Sequence, residues 1–349
     1  MTATSRTRIH NLDLLRALAI ILVIYFHTVQ MVFNYTIPDR ALFNLGKYGV
    51  NVFFVLSGFL IAGIYFRKQD MSPIQFWLKR FLRIYPPYLI MLLISWLAVA
   101  YARNEKFDWG FLLMIQNFYP TIPYFLVSWS LCIEEHFYLL FTLFIFVLPK
   151  ATNQLFLWIA LCILPTFFRY FLSNPEFDGF GYYTTATYFQ MDALAFGVLA
   201  AYLVYQKSWH IKTSATLISI LVIVLIGLSY LLSSHSNLIT FSFGTTVLNF
   251  IITSLLLQLY FAKPLWISKT NFVKWNARMA YSIYLVHPLC IHFCNLIYGK
   301  LNLKNMFLQY GFMIIAIYLA SYLFHKLVEQ PTIGLRDKLL DREHKPALV

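Results

Sequence analysis

Ten stretches of about twenty predominantly apolar residues dominate this chain. They fall at about 12–35, 48–66, 82–101, 130–148, 153–172, 184–205, 213–233, 240–261, 278–298 and 306–327. Coiled at about 1.5 Å per residue, each run matches the ~30 Å hydrocarbon core of a bilayer. A segment crossing lipid must satisfy its backbone polar groups internally, which a helix does. With 60% of its 349 residues hydrophobic and 12% charged, the chain reads as an all-α, polytopic integral membrane protein with about ten transmembrane helices. The runs are too many and too long for a secretory signal, and the opening MTATSRTRIHNLD carries no cleavage pattern.

The net charge of +13 does not point to nucleic acid, because the basic residues sit between the apolar runs, where they set orientation. Ten is even, so both termini share a side. Placing them inside puts 19 lysines and arginines on the cytoplasmic face against 7 outside, Arg169 among the latter. That asymmetry gives N-in, C-in topology. Residues 1–330 are expected to form one transmembrane domain, with 331–349 a short cytoplasmic tail. The connection at about 102–129, with YPTIPYFLVSW, is rich in proline and aromatics and is expected to fold against the bundle. Cys132, Cys162, Cys290 and Cys294 lie in or near apolar segments with no zinc-site spacing, and read as reduced, packed thiols. No internal repeat is visible, which argues against the inverted-repeat plan of many transporters.

Chemistry is expected where charge enters apolar sequence. Ionisable groups inside a membrane are costly and mark function or a polar cavity. Arg16 and His27 lie eleven residues apart in the first run, LDLLRALAIILVIYFHTV. That is about three turns, so both project from nearly one face, roughly 16 Å apart along the axis. In KRFLRIYPPYL, Arg80 and Arg83 abut Tyr85-Pro86-Pro87-Tyr88, which bends the start of the third span. Two guanidinium forks beside a fixed kink suit bidentate phosphate binding, though a positive-inside anchor explains them as well. In SWSLCIEEHFYLL, Ser130, Glu134 and Tyr138 recur every four residues as one polar stripe, with Glu135 and His136 turning away from it.

Asp192, in FQMDALAFG, is a lone intramembrane carboxylate that needs a partner, such as Arg16, or a place in the site. His287, in YSIYLVHPL, sits near the midplane with Pro288 behind it and Tyr281 and Tyr284 ahead. Ser57-Gly58, in FFVLSGFLIAG, reads as a helix-packing patch. The sequence contains no nucleotide-binding loop, HExxH or metal-spaced cluster, so no metal is expected, and any energy source arrives with the substrate.

These residues resemble the membrane-bound acyltransferase-3 family of bacteria, in order and over nearly the whole chain. The shared pattern is a basic residue, ten residues, then histidine (Arg16 to His27); SGFL (Ser57 to Leu60); RxxR before YPPY (Arg80, Arg83); and WSL with glutamate and FY (Trp129 to Tyr138). It continues with DALAFG (Asp192 to Gly197), YSIYLVHP (Tyr281 to Pro288) and E-x-P (Glu329, Pro331). The chain departs from the pattern at Gln190, where relatives often carry an arginine that would partner Asp192 locally. The esterase-like extracytoplasmic domain fused to some members has no counterpart here, so the bundle is expected to reach its acceptor alone or through a partner.

The resemblance implies an O-acyltransferase of the bacterial inner membrane, without nucleic-acid partners. The donor is cytoplasmic acyl-coenzyme A, by family default acetyl-coenzyme A. The acceptor is a hydroxyl of a lipid-linked or surface glycan, such as lipopolysaccharide O-antigen or exopolysaccharide; some members modify peptidoglycan or macrolides. Arg80, Arg83 and Arg16 would hold the donor phosphates. His27 would act as base or acyl carrier, with Glu134 orienting it. His287 or Tyr281 would supply an oxyanion donor or line the acceptor path, supported by Ser130, Tyr138 and Asp192. Intramembrane charges also suit a transporter of glycan or lipid, or a channel with a histidine relay. Stabilisation by acetyl-coenzyme A separates the enzyme from both.

Overall fold

The computed structural model describes residues 9–33, 40–67, 72–100, 104–147, 151–173, 182–234, 237–301 and 305–341. In chain order the helices are α1 (His10–Phe33), α2 (Arg40–Lys47), α3 (Gly49–Arg67), α4 (Pro73–Ser95), α5 (Ser128–Val147) and α6 (Ala151–Leu172). They continue as α7 (Tyr182–Thr185), α8 (Thr187–Tyr205), α9 (Ala215–Ser234), α10 (Thr245–Phe261), α11 (Asn271–Lys300), α12 (Met306–Phe324) and α13 (Gln330–Asp341). Among the described residues, nine helical stretches are long and apolar enough to cross a membrane. The tenth long helix, α5, carries the charged Glu134-Glu135-His136 run. The expected all-α bundle is therefore the observed one.

Two helices start well before the apolar run that announced them. Hydropathy marks where lipid-compatible sequence begins, whereas caps mark where coiling begins. Ser72 Oγ accepts from the Gln75 amide at 3.2 Å with Pro73 at the first helical position, and Thr270 Oγ1 accepts from the Val273 amide at 3.4 Å. Both are N-cap arrangements. The third span therefore starts at Pro73 rather than 82. Arg80 and Arg83 lie about 10 and 15 Å along α4 instead of at its mouth.

Helices α3 and α8 form the centre, and the Ser57-Gly58 patch is the reason they approach so closely. A Cβ placed on Gly58 would lie 2.0 Å from the Leu194 carbonyl oxygen; one on Gly197 would lie 2.2 Å from that of Val55. Backbone meets backbone, as small residues permit between membrane helices. The SGFL and DALAFG sequences are thus two halves of one crossing. Around this centre, α6, α9 and α12 present Phe156, Ile223 and Leu319 outward, 60% or more exposed, as lipid-facing helices do.

Residues 104–127 fold against the bundle as expected. The YPPY tyrosines hold them there. Tyr85 donates to the Leu112 carbonyl at 2.7 Å, and Tyr88 to that of Phe111 at 2.8 Å. Gln116 ties the same lobe to Tyr88 and to Ser128, at the start of α5. Irregular backbone at this depth is tolerated only where protein satisfies it. At the other end of the chain, α12 runs through a π-helical turn, His325–Glu329, into α13, which packs against α4. The segment expected to be a tail thus begins as a docked helix; residues 342–349 lie outside the described residues.

Candidate active site

Five helices, α1, α3, α4, α5 and α11, contribute the polar side chains of the candidate site. α1 carries Arg16 at one end and His27 at the other, and α5 reaches both ends: Tyr138 lies by the arginines and Ser130 is bonded to Tyr284 by the histidines. At the arginine end, Arg16 lies in the electrostatic field of Arg83, Tyr138 and Glu134. Arg80 lies in that of Tyr138, Arg83, Arg16 and Glu134. The three guanidiniums are thus one cluster, assembled from α1 and α4. Glu134 lies in the same field and is held by two hydroxyls: Ser57 donates to Oε1 and Tyr138 to Oε2, each at 3.1 Å. Among the described residues Arg80 and Arg83 make no hydrogen bond or ion pair. Arg16 approaches only Asp13, at 3.9 Å, with its side chain 31% exposed. The guanidinium forks of Arg80 and Arg83 are therefore unspent on protein acceptors among the described residues.

At the other end, His27 and His287 bring their rings together with centroids 5.0 Å apart. The His27 Nδ1 lies 2.9 Å from the Val23 carbonyl oxygen, and the His287 Nδ1 lies 3.1 Å from that of Ile283. A carbonyl only accepts, so Nδ1 carries the proton in each ring, and each Nε2 keeps its lone pair. Tyr284 stands 5.7 Å from His287 by ring centroids, and its hydroxyl meets Ser130 at 2.7 Å. The three-point stripe on α5 therefore links the two ends: Ser130 by the histidines, Glu134 between, Tyr138 by the arginines.

Several expectations change in detail. Glu134 is not the orienting partner of His27. Its oxygens are held by Ser57 and Tyr138, and the Val23 carbonyl, one turn back, fixes the imidazole instead. His287 cannot donate from Nε2 while Nδ1 holds the proton, and Tyr281 spends its hydroxyl on the Ile84 carbonyl at 2.7 Å. Neither is poised as an oxyanion donor; Tyr281 instead braces α4 next to Arg83. His136 packs away from the site, bonded to Thr187 at 2.7 Å and stacked on Phe118.

Asp192 lies outside the site, and its partner is Arg169 rather than Arg16. Arg169, counted above as an outer-loop charge, is inside α6 and fully buried. It donates through Nη2 to Asp192 Oδ2 at 2.7 Å, both side chains 0% exposed. Its other protons go to the Phe189 carbonyl, the Ser242 carbonyl and Thr246. An arginine from a neighbouring helix thus does what Gln190 cannot.

A second cluster went unread in the sequence. Glu329 Oε2 accepts from Ser282 at 2.5 Å and from His325 Nδ1 at 2.8 Å, all three buried. In the sequence Glu329 stands out only as part of E-x-P; the signal for the pair is His325, four residues earlier. A cavity of about 110 Å³ lies elsewhere, between Tyr124 and Phe125 of the lobe and Leu285, Pro288 and His292 of α11. Helical geometry puts these α11 residues on the face opposite His287. Among the described residues no three His, Cys, Asp or Glu side chains gather as a metal would require.

The chain has known relatives. The family profile described as an acyltransferase domain, the third of its type, matches residues 9–326. The peptidoglycan O-acetyltransferase OatA of Listeria monocytogenes is 28% identical over 225 residues, 57% of this chain and 34% of its own. A Staphylococcus aureus protein provisionally named an O-acetyltransferase is 23% identical over 363 residues, 93% of this chain and 57% of its own. The acyltransferase MdmB of Streptomyces mycarofaciens is 32% identical over 129 residues, 33% of each chain. The chain thus spans between a third and three fifths of these relatives' lengths. No solved structure matches.

Proposed function

The chain belongs to the acyltransferase-3 family, and from that premise we propose that it transfers an acyl group, acetyl by family default, from cytoplasmic acyl-coenzyme A to a hydroxyl of a surface or lipid-linked glycan. The observation that carries this reading is the cluster of unspent guanidiniums leading, through one polar stripe, to an imidazole with a bare Nε2. Arg80, Arg83 and Arg16 bind the donor phosphates; guanidinium forks match phosphate oxygens bidentately. The pantetheine arm lies along the α1 face, where about 16 Å separate Arg16 from His27.

His27 Nε2 takes the proton of the acceptor hydroxyl, and the freed oxygen attacks the thioester carbon. The C–S bond breaks, the O–C bond remains, and coenzyme A leaves as the thiol. Glu134 has a positioning role: it offsets part of the guanidinium charge and, with Ser57 and Tyr138, keeps the stretch between the two ends polar. The protein works in the bacterial cytoplasmic membrane with both termini inside, so the arginine end faces the donor.

A positioned base contributes about 10²–10⁴ in rate. His27→Ala is therefore expected to abolish acylation while leaving the melting temperature unchanged; unchanged product yield by mass spectrometry of surface glycans overturns the assignment. Acetyl-coenzyme A is expected to raise the melting temperature of the purified wild-type protein, as any ligand of the folded state does. A transporter or channel lacking a donor site gives no shift.

A further inference from the structure

The proposed reaction needs one base, yet two imidazoles meet at its centre. His287 is 0% exposed, and its Nε2 finds no hydrogen-bond partner among the described residues. A buried, unpartnered polar atom is costly, so a fold that keeps one invites a functional explanation. Its neighbour in ring contact is His27, which also presents a bare Nε2. Two lone pairs cannot bond to each other; one proton between them satisfies both. The two rings differ in access: His27 is half-buried, whereas His287 is fully buried.

Resting on the acyl-transfer reading, we propose that His27 and His287 form a proton-sharing pair, in which the sealed His287 takes up part of the charge that His27 acquires from the acceptor hydroxyl. The acceptor O–H bond breaks and its proton goes to His27 Nε2. The proton is then shared with His287 Nε2 while the O–C bond forms and the thioester C–S bond breaks. It finally returns to the coenzyme A sulfur, so both rings end neutral. His287 never touches substrate; it is a positioning residue acting through His27. Its Nδ1–H bond to Ile283 fixes the ring so that Nε2 is the free atom. Tyr284, bonded to Ser130 and to the Val127 carbonyl, walls the pair on the α5 side.

The test uses the full chain in phospholipid nanodiscs, with acetyl-coenzyme A as probe, water as acceptor and free thiol as readout. His287→Asn keeps an N–H where Nδ1 donates to Ile283 and deletes Nε2; His287→Gln puts a non-basic amide near Nε2. Both are expected to lower turnover by about 10²-fold, with KM for acetyl-coenzyme A changed less than about twofold, since only a transition-state interaction is lost. Turnover of both variants within about threefold of wild type overturns the pair. If neither variant folds, turnover of the wild type across H2O/D2O mixtures decides: a curved dependence supports two protons in motion, and a straight line overturns the sharing. Absence of thiol release from wild-type protein overturns the acyl-transfer reading itself. Normal wild-type release with unimpaired variants overturns only the pair.

Discussion

Arg169 with Asp192, and Arg16 with Arg80, Arg83 and Glu134, are two answers to the same difficulty of placing charge inside a bundle. The first is closed. One cation meets one anion, both side chains are 0% exposed, and all three guanidinium nitrogens donate to protein acceptors. The second is open. Arg80 and Arg83 make no ion pair among the described residues, Glu134 takes its bonds from hydroxyls, and Arg16 meets only Asp13, at 3.9 Å, with 31% of its side chain accessible. A buried charge must be matched. Where the protein matches it fully, the cluster has nothing left with which to bind; where it does not, guanidinium donors stay free, and the proposed donor phosphates are what would meet them. An arginine inside a membrane domain is thus assigned by its hydrogen-bond inventory, not its depth.

The comparison breaks most sharply on stability. Asp192→Ala strips a sealed guanidinium of its anion, and losing one member of a buried pair costs about 3–5 kcal/mol. Folded yield and melting temperature are expected to collapse, and Arg169→Met/Asp192→Leu to recover much of the loss. If Asp192→Ala leaves the melting temperature intact but removes activity, the closed cluster is a site after all. Arg80→Ala and Arg83→Ala are the converse. Each forfeits a charge-assisted contact of about 1.5–3 kcal/mol, so KM for acetyl-coenzyme A should rise ten- to a hundredfold with little change in melting. A loss of insertion or folding with unchanged KM in the surviving protein returns these arginines to a purely topological role. Tyr138→Phe is the mildest. It removes one of the two hydroxyls on Glu134, a neutral-to-charged bond of about 1.5 kcal/mol, and should lower turnover by about tenfold or less. An effect as large as that of His27→Ala would move Tyr138 from support to chemistry.

Much of the site was legible along the chain because helical periodicity needs no partner. Arg16 and His27 share a face by count, and Ser130, Glu134 and Tyr138 form a stripe by spacing. The Gly58 patch likewise announced a tight crossing. What failed were judgements about pairs. Arg169 looked like a loop charge because it lies near the end of an apolar run, and Glu134 was assigned to His27 by analogy with a triad. No local rule distinguishes an imidazole held by a carboxylate from one held by the carbonyl of Val23. The His325–Glu329 pair was an i, i+4 match in plain view, hidden because Ser282, the third member, is on another helix.

Length and apolarity of the runs, by themselves, determined a helical membrane bundle, since lipid leaves a spanning backbone few alternatives. The ordered polar residues marked which helices carry the chemistry. Only the tertiary structure decided who neutralises whom. Asp192 meets Arg169 and His27 meets His287 from different helices, and which charges remain unmatched depends on helix packing that no single helix encodes. The proposed donor-binding end rests on that remainder.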